Sequence, residues 1–155
     1  MPTEPTASAV KVFFSYAHED EKMRNALEAQ LAILQRQGKI SAWHDRKISA
    51  GREWAGTISA ELEAADVILL LVSSAFIASD YCYDIEMKRA LERHEAGSAI
   101  VVPVILRPTA WEGAPFSKLQ ALPTDARPIS KWSNRDEAFA NVAAGLKAVV
   151  ESLAR

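Results

Sequence analysis

What this chain lacks narrows its function before any motif is read. It has a single cysteine, Cys82, so no internal disulfide can form, and a reducing, cytoplasmic setting is expected. It has no long apolar run. Val67 to Val72 and Ala99 to Leu106 fall far short of a membrane span, so no membrane partner is expected. Its net charge is only -2, which gives no general pull toward nucleic acid or acidic lipid. There is no GxxxxGK[ST] phosphate loop, no GxGxxG, no CxxC pair and no HExxH. The histidines, His18, His44 and His94, are scattered without metal-ligand spacing, so no metal is expected. These absences argue against a metalloenzyme and against a P-loop nucleotidase. No internal repeat, low-complexity stretch or linker to a second domain is visible.

What is present is ordinary globular material. The chain has 155 residues, 49% of them hydrophobic and 25% charged, which fits one domain around one core. Met1 to Ala9 is polar, carries Pro2 and Pro5, and lacks the layout of a signal peptide, so residues 1–9 are read as a flexible tail and 10–155 as the domain.

Along the domain, strand and helix patterns alternate. Val10 to Tyr16 is a short apolar strand, and Asp20 stands where a helix N-cap belongs. Met23, Ala26, Leu27, Gln30, Leu31 and Leu34 follow at helical spacing, with Gly38 just past the end. Ile40 to His44 reads as a second, short strand, Asp45 to Trp54 as a loop, and Ile58, Leu62 and Ala65 as a short helix. Val67 to Ser73 is a continuous apolar strand, which implies burial on both faces. Ser79 or Asp80 caps a helix to about His94. Ala99 to Leu106 is a fourth strand, in which Pro103 must occupy a bulge or an unpaired N–H position. Arg107 to Asp125 is a proline-bearing connection, Arg127 to Ser130 a fifth, edge strand, and Asn134 starts a last helix. That helix buries Phe139, Val142, Ala143, Leu146, Val149, Val150 and Leu153.

Such alternation predicts an α/β fold: a flavodoxin-like three-layer sandwich with a five-stranded parallel sheet in the order 2-1-3-4-5. Val12, Phe14, Ile68, Leu70, Val102 and Val104 should then be buried. Ligands of such sheets bind beyond the carboxyl ends of the strands, where the chain changes direction. Ser15 to Asp20 and Ser73 to Glu86 both land there.

Four segments in order carry a family resemblance. They are VFFSYAHED at Val12 to Asp20, AWHDRKISAGREW at Ala42 to Trp54, ADVILLLVSSAFIASDYCYDIEMKRAL at Ala65 to Leu91, and VVPVIL at Val101 to Leu106, the last followed by a tryptophan-bearing segment. Together they resemble Toll/interleukin-1 receptor (TIR) domains of the bacterial type, over about Val10 to Leu153.

The resemblance implies a function. Many TIR domains cleave NAD at the nicotinamide–ribose bond, some with cyclisation of the product, and many self-associate through the BB loop. By resemblance the catalytic residue is Glu86, in Tyr81-Cys82-Tyr83-Asp84-Ile85-Glu86. The spacing departs from the family pattern, which places the glutamate four residues after an aromatic. Four after Tyr81 is Ile85, and the glutamate follows one later. Either the helix starts one residue late, or Tyr83 serves as the aromatic and lies beside the substrate.

Further candidates for the NAD site are Phe14, Ser15 and Tyr16 at the first strand's end, Asp45 and Arg46 at the second's, and Trp54. Phe14 reads equally as a core aromatic, Arg46 as a phosphate clamp or a solvated charge, and Trp54 as a cover for the cleft or as packing for the next helix. Arg46, Lys47, Ile48, Ser49, Ala50 and Gly51 form the expected assembly loop, which should be loosely held. Cys82 is expected to be buried as a small apolar residue.

One carboxylate suffices for the implied chemistry. Nicotinamide leaves NAD as a neutral molecule, so no general acid is needed, unlike glycoside hydrolysis with its two carboxylates. The expectation is therefore an NAD glycohydrolase without cofactor, with NAD as substrate, acting in bacterial defence or signalling. Other TIR domains are its expected partners, and a sensor domain outside this chain its trigger. The alternatives are a non-catalytic TIR–TIR interaction module and, third, a nucleoside-hydrolysing or deoxyribosyl-transferring enzyme.

Overall fold

The computed structural model describes residues 9–41 and 60–153. Three parallel strands form its centre in the order β1-β2-β3: β1 is Val12–Ser15, β2 is Val67–Val72 and β3 is Ile100–Ile105. The register sets Val12 beside Val67 and Val67 beside Ile100. Every residue of β2 is buried, as its unbroken apolar run requires of a central strand covered on both faces.

Alternation along the strands divides the core in two. Val12 and Phe14, Val67, Leu69 and Leu71, and Val102 and Val104 face one side. There they meet helix α1 (Glu21–Arg36) and helix α5 (Arg135–Leu153). Phe13, Ile68, Leu70, Val72, Val101 and Ile105 face the other side. There they meet α2 (Ala60–Ala64), α3 (Ser74–Ala78), a π-helical segment (Asp80–Met87) and α4 (Lys88–Glu95). The result is the expected three-layer arrangement, and Val12, Phe14, Ile68, Leu70, Val102 and Val104 are all buried.

The expected five-stranded sheet is not what the described residues form. On the free side of β1, the second strand is represented by one parallel bridge, Val10 to Ile40; its continuation through His44 lies outside the described residues. On the free side of β3, the neighbour is Leu122, again through a single bridge. The fifth strand expected at Arg127 to Ser130 is corrected: Ile129–Lys131 is a 3₁₀ turn, tied to β3's exit by Ser130 N–H donating to Leu106 O at 3.0 Å. Pro123 and Pro128 remove two ladder donors from this stretch, which limits pairing to isolated contacts. Pro103 behaves as anticipated. The N–H groups of Val101 and Ile105 point away from β2, to His94 Nδ1 and Leu122 O, so Pro103 between them takes a position that faces no β2 acceptor.

The helix ends follow from local chemistry. Gly38 and Gly97 adopt φ of +74° and +78°, where a Cβ would be strained, and each closes its helix in a Schellman motif. Asn134 caps α5 by accepting from Glu137 N–H at 3.0 Å. Leu153, expected in α5's buried stripe, is 38% exposed at the last described turn of the helix. Among the described residues no helix is long and apolar enough to cross a membrane.

Arg93 of α4 is a buried structural cation. It donates to Leu62 O at 2.9 Å, Ala65 O at 2.6 Å and Ser98 O at 2.8 Å, which satisfies carbonyls at the end of α2 that the helix itself leaves open.

Candidate functional site

The site is built at the carboxyl edge of the sheet by strand parity. Ser15 is the last residue of β1 and shares a face with Phe13, so it points toward the π-helical segment. Its hydroxyl donates to Glu86 Oε1 at 2.8 Å, a contact between residues 71 apart in sequence. Glu86 and Ser15 are both fully buried.

The π-helical segment places this glutamate. Ser79 opens the segment by accepting from Cys82 N–H at 3.1 Å. Hydrogen bonds spaced i→i+5 widen the turn by about one residue relative to an α-helix. Position Glu86, five after Tyr81, therefore falls nearly where the fourth residue falls in an α-helix. The departure in spacing has a physical resolution: the extra residue is absorbed by a wider turn. The π-helical segment begins at Asp80. Tyr83 lines a groove of about 600 Å³ with Asp84, Lys88, Leu91, Pro115 and Lys118, and neither Ser15 nor Glu86 is in its lining.

Glu86 is not a surface partner of Arg89. Arg89 makes a forked pair with Glu63 at 2.6 and 2.8 Å and reaches Glu92 at 3.2 Å. Hydrogen bonding from Arg89 holds the Glu63 carboxyl below the usual carboxylate range. Taking a carboxyl such as that of Glu86 out of water costs several kcal/mol unless it is hydrogen-bonded or neutralised, a penalty that a helix-surface glutamate never meets.

Parity separates the other first-strand candidates from Glu86. Phe14 is fully buried on the α1 side, with the Arg24 guanidinium 4.8 Å above its ring. Tyr16 is partly buried on that side, 6.0 Å from the same guanidinium. Of the three, Ser15 is hydrogen-bonded to the glutamate, and Phe14 is buried in the core on the α1 side. Cys82 is buried as expected, its thiol directed to Tyr16 O at 3.2 Å. Asp45, Arg46, Lys47, Ile48, Ser49, Ala50, Gly51 and Trp54 lie outside the described residues.

A second polar cluster occupies the same edge and was not legible in the sequence. Asp20 stands at the N-cap position of α1 but makes no side-chain cap bond. Its carboxylate is 2% exposed and turns instead to the Ser73 hydroxyl and to Arg107 Nε, the latter at 3.3 Å. Ser73 in turn accepts from Phe76 N–H at 3.0 Å, capping α3. Each of these three residues follows a different strand. That shared position past a strand end is the one signal that marks them.

Ser15 holds one oxygen of Glu86 in this arrangement. If Glu86 acts on a substrate, Ser15→Ala should lower turnover about tenfold, the worth of one hydrogen bond to a charged group, with little change in KM. Steady-state kinetics on the purified variant check this. Unchanged turnover would leave the Ser15 contact as packing alone.

Comparison with known proteins agrees with this geometry. A family model described as TIR domain matches residues 12–142. The chain is 56% identical over 144 residues to the uncharacterized protein y4lF of Sinorhizobium fredii, a match covering 93% of this chain and 44% of that protein. The chain thus spans less than half of that relative's length. Among solved structures it is similar to the TIR domains of the activated Roq1 resistosome, which directly recognises the pathogen effector XopQ. That likeness has 25% identity and a TM-score of 0.50, and covers 88% of this chain and 84% of that one. With this family match over most of its length, the chain belongs to the TIR domain family.

Proposed function

We propose that this TIR domain is an NAD glycohydrolase, with Glu86 as its catalytic carboxylate, active in a bacterial defence or signalling system and switched on by self-association. The observation that carries the reading is the Ser15–Glu86 contact: a carboxyl group wholly inside the protein, held at the edge of the sheet where ligands of this architecture bind. No stability argument favours such a placement over an apolar side chain.

The chemistry fits one carboxylate. The bond between ribose C1′ and the nicotinamide nitrogen breaks, and its electron pair stays with the nitrogen, which becomes neutral. The ribose becomes oxocarbenium-like, and a negative oxygen nearby lowers the energy of that charge. Water then adds at C1′ and loses a proton, giving ADP-ribose; attack by the adenine of the same molecule gives a cyclic product instead.

Glu86 has no exposed surface, so a substrate reaches it only after a cover moves. That supports gating by assembly, in which contact between domains favours an open state. The structural relative, whose TIR domains belong to an activated resistosome, supports the same reading. The test is release of nicotinamide from NAD by clustered wild-type protein and its loss in Glu86→Gln. Wild type that stays inactive however it is clustered would hand the chain to the interaction-module reading.

A further inference from the structure

The geometry points to Arg107 as the residue that receives the diphosphate of a dinucleotide, held in place for it by the buried Asp20 and Ser73. The inference rests on the NAD reading of the same edge and assigns the anionic half of the substrate to a residue on the page.

Arg107 lies two residues past the end of β3, with its side chain 45% exposed. Its Nε donates to Asp20 Oδ1, and the other Asp20 oxygen takes the Ser73 hydroxyl proton. Ser73 is itself fixed by Phe76 N–H. Asp20 and Ser73 are 2% and 1% exposed, so the anchor is rigid and dry while the guanidinium it holds reaches solvent. Among the described residues neither Nη of Arg107 makes a hydrogen bond.

A lysine would serve the Asp20 ion pair as well. What an arginine adds is a second, forked edge whose two N–H groups match two oxygens of a phosphate. With Nε already held, fewer rotamers remain to be frozen when an anion arrives, which is the advantage of preorganisation. The Asp20 charge cancels part of the guanidinium's long-range field but leaves these directed donors intact.

Position agrees. Asp20, Ser73 and Arg107 follow β1, β2 and β3 and share the carboxyl edge with Ser15 and Glu86. In a dinucleotide the diphosphate is attached to the ribose that loses its base. A substrate whose cationic ribose meets Glu86 therefore needs a cation further along this edge.

The test is calorimetric titration of ADP-ribose into wild type, Arg107→Gln and Arg107→Lys, each clustered on a multivalent scaffold, with NAD cleavage followed in parallel. Arg107→Gln should weaken ADP-ribose binding about tenfold or more, the worth of charge-assisted hydrogen bonds, and Arg107→Lys should recover only part of the loss. Equal affinity in wild type and Arg107→Gln, or no ADP-ribose binding by wild type, overturns the inference. If Arg107→Gln does not fold, Arg107→Lys decides. It keeps the ion pair but loses the fork, so weaker binding supports the assignment and unchanged binding overturns it. Arg107-dependent binding without NAD cleavage would strike the hydrolase reading alone. Cleavage with an unchanged KM in Arg107→Gln would strike this inference alone.

Discussion

Glu86→Gln should reduce NAD cleavage about 100-fold or more, because it removes the negative charge that a cationic ribose needs. Size and hydrogen-bonding reach are kept, and the Ser15 hydroxyl can rotate to pair with an amide. Since the native side chain is wholly buried, losing its charge removes a desolvation penalty, so the melting temperature should hold or rise. Stability and activity then move apart, which a purely structural glutamate would not allow. Asp84→Asn is the control. Asp84 is exposed on the outer groove, two residues from Glu86, and its change should leave nicotinamide release within a factor of about two of wild type. An active Glu86→Gln beside a dead Asp84→Asn would show that the wrong carboxylate had been assigned.

The second large effect concerns stability. Arg93→Met keeps the apolar stem but removes every donor, leaving Leu62 O, Ala65 O and Ser98 O without the partners Arg93 supplies. Losing the charge-assisted hydrogen bonds to the buried carbonyls of Leu62 and Ala65 costs roughly 1.5–3 kcal/mol each, Ser98 being exposed and adding little, and relaxation and water recover part of it, so a net loss of about 3 kcal/mol is expected. For a domain of this size that corresponds to a melting temperature lower by roughly 10 °C. Urea unfolding with an unchanged slope would give the free energy directly. A loss under about 1 kcal/mol would mean that water reaches these carbonyls and that Arg93 is a surface cation with a buried stem.

Much of the fold was legible because its signals are local. The apolar run Val67 to Val72, the short apolar strand within Val10 to Tyr16 and the glycines at 38 and 97 each act over a few residues. The edge beyond β3 was not legible for the opposite reason. Leu122 pairs with β3 through a single bridge, and a short apolar stretch beside prolines does not reveal whether it will pair. Within the site, Glu86 came from resemblance. Its burial on Ser15 came from strand parity combined with a π turn, and no propensity marks such a turn. Phe14 read equally as a core aromatic or a cleft residue; adjacent strand residues point to opposite faces, and that rule places Phe14 on the α1 side, away from Ser15's face. Asp20 looked like a helix cap because its position is one. Its true partners, Ser73 and Arg107, stand 53 and 87 residues away, where only the folded chain joins them.

The most direct test of the central claim is nicotinamide release from NAD by the wild-type domain, followed from nanomolar to high micromolar protein and again with the domains forced together on a multivalent scaffold. Specific activity should be low when dilute and rise steeply with concentration or clustering, since Glu86 is covered in the single domain. Release of no nicotinamide at any concentration, clustered or not, would contradict the account.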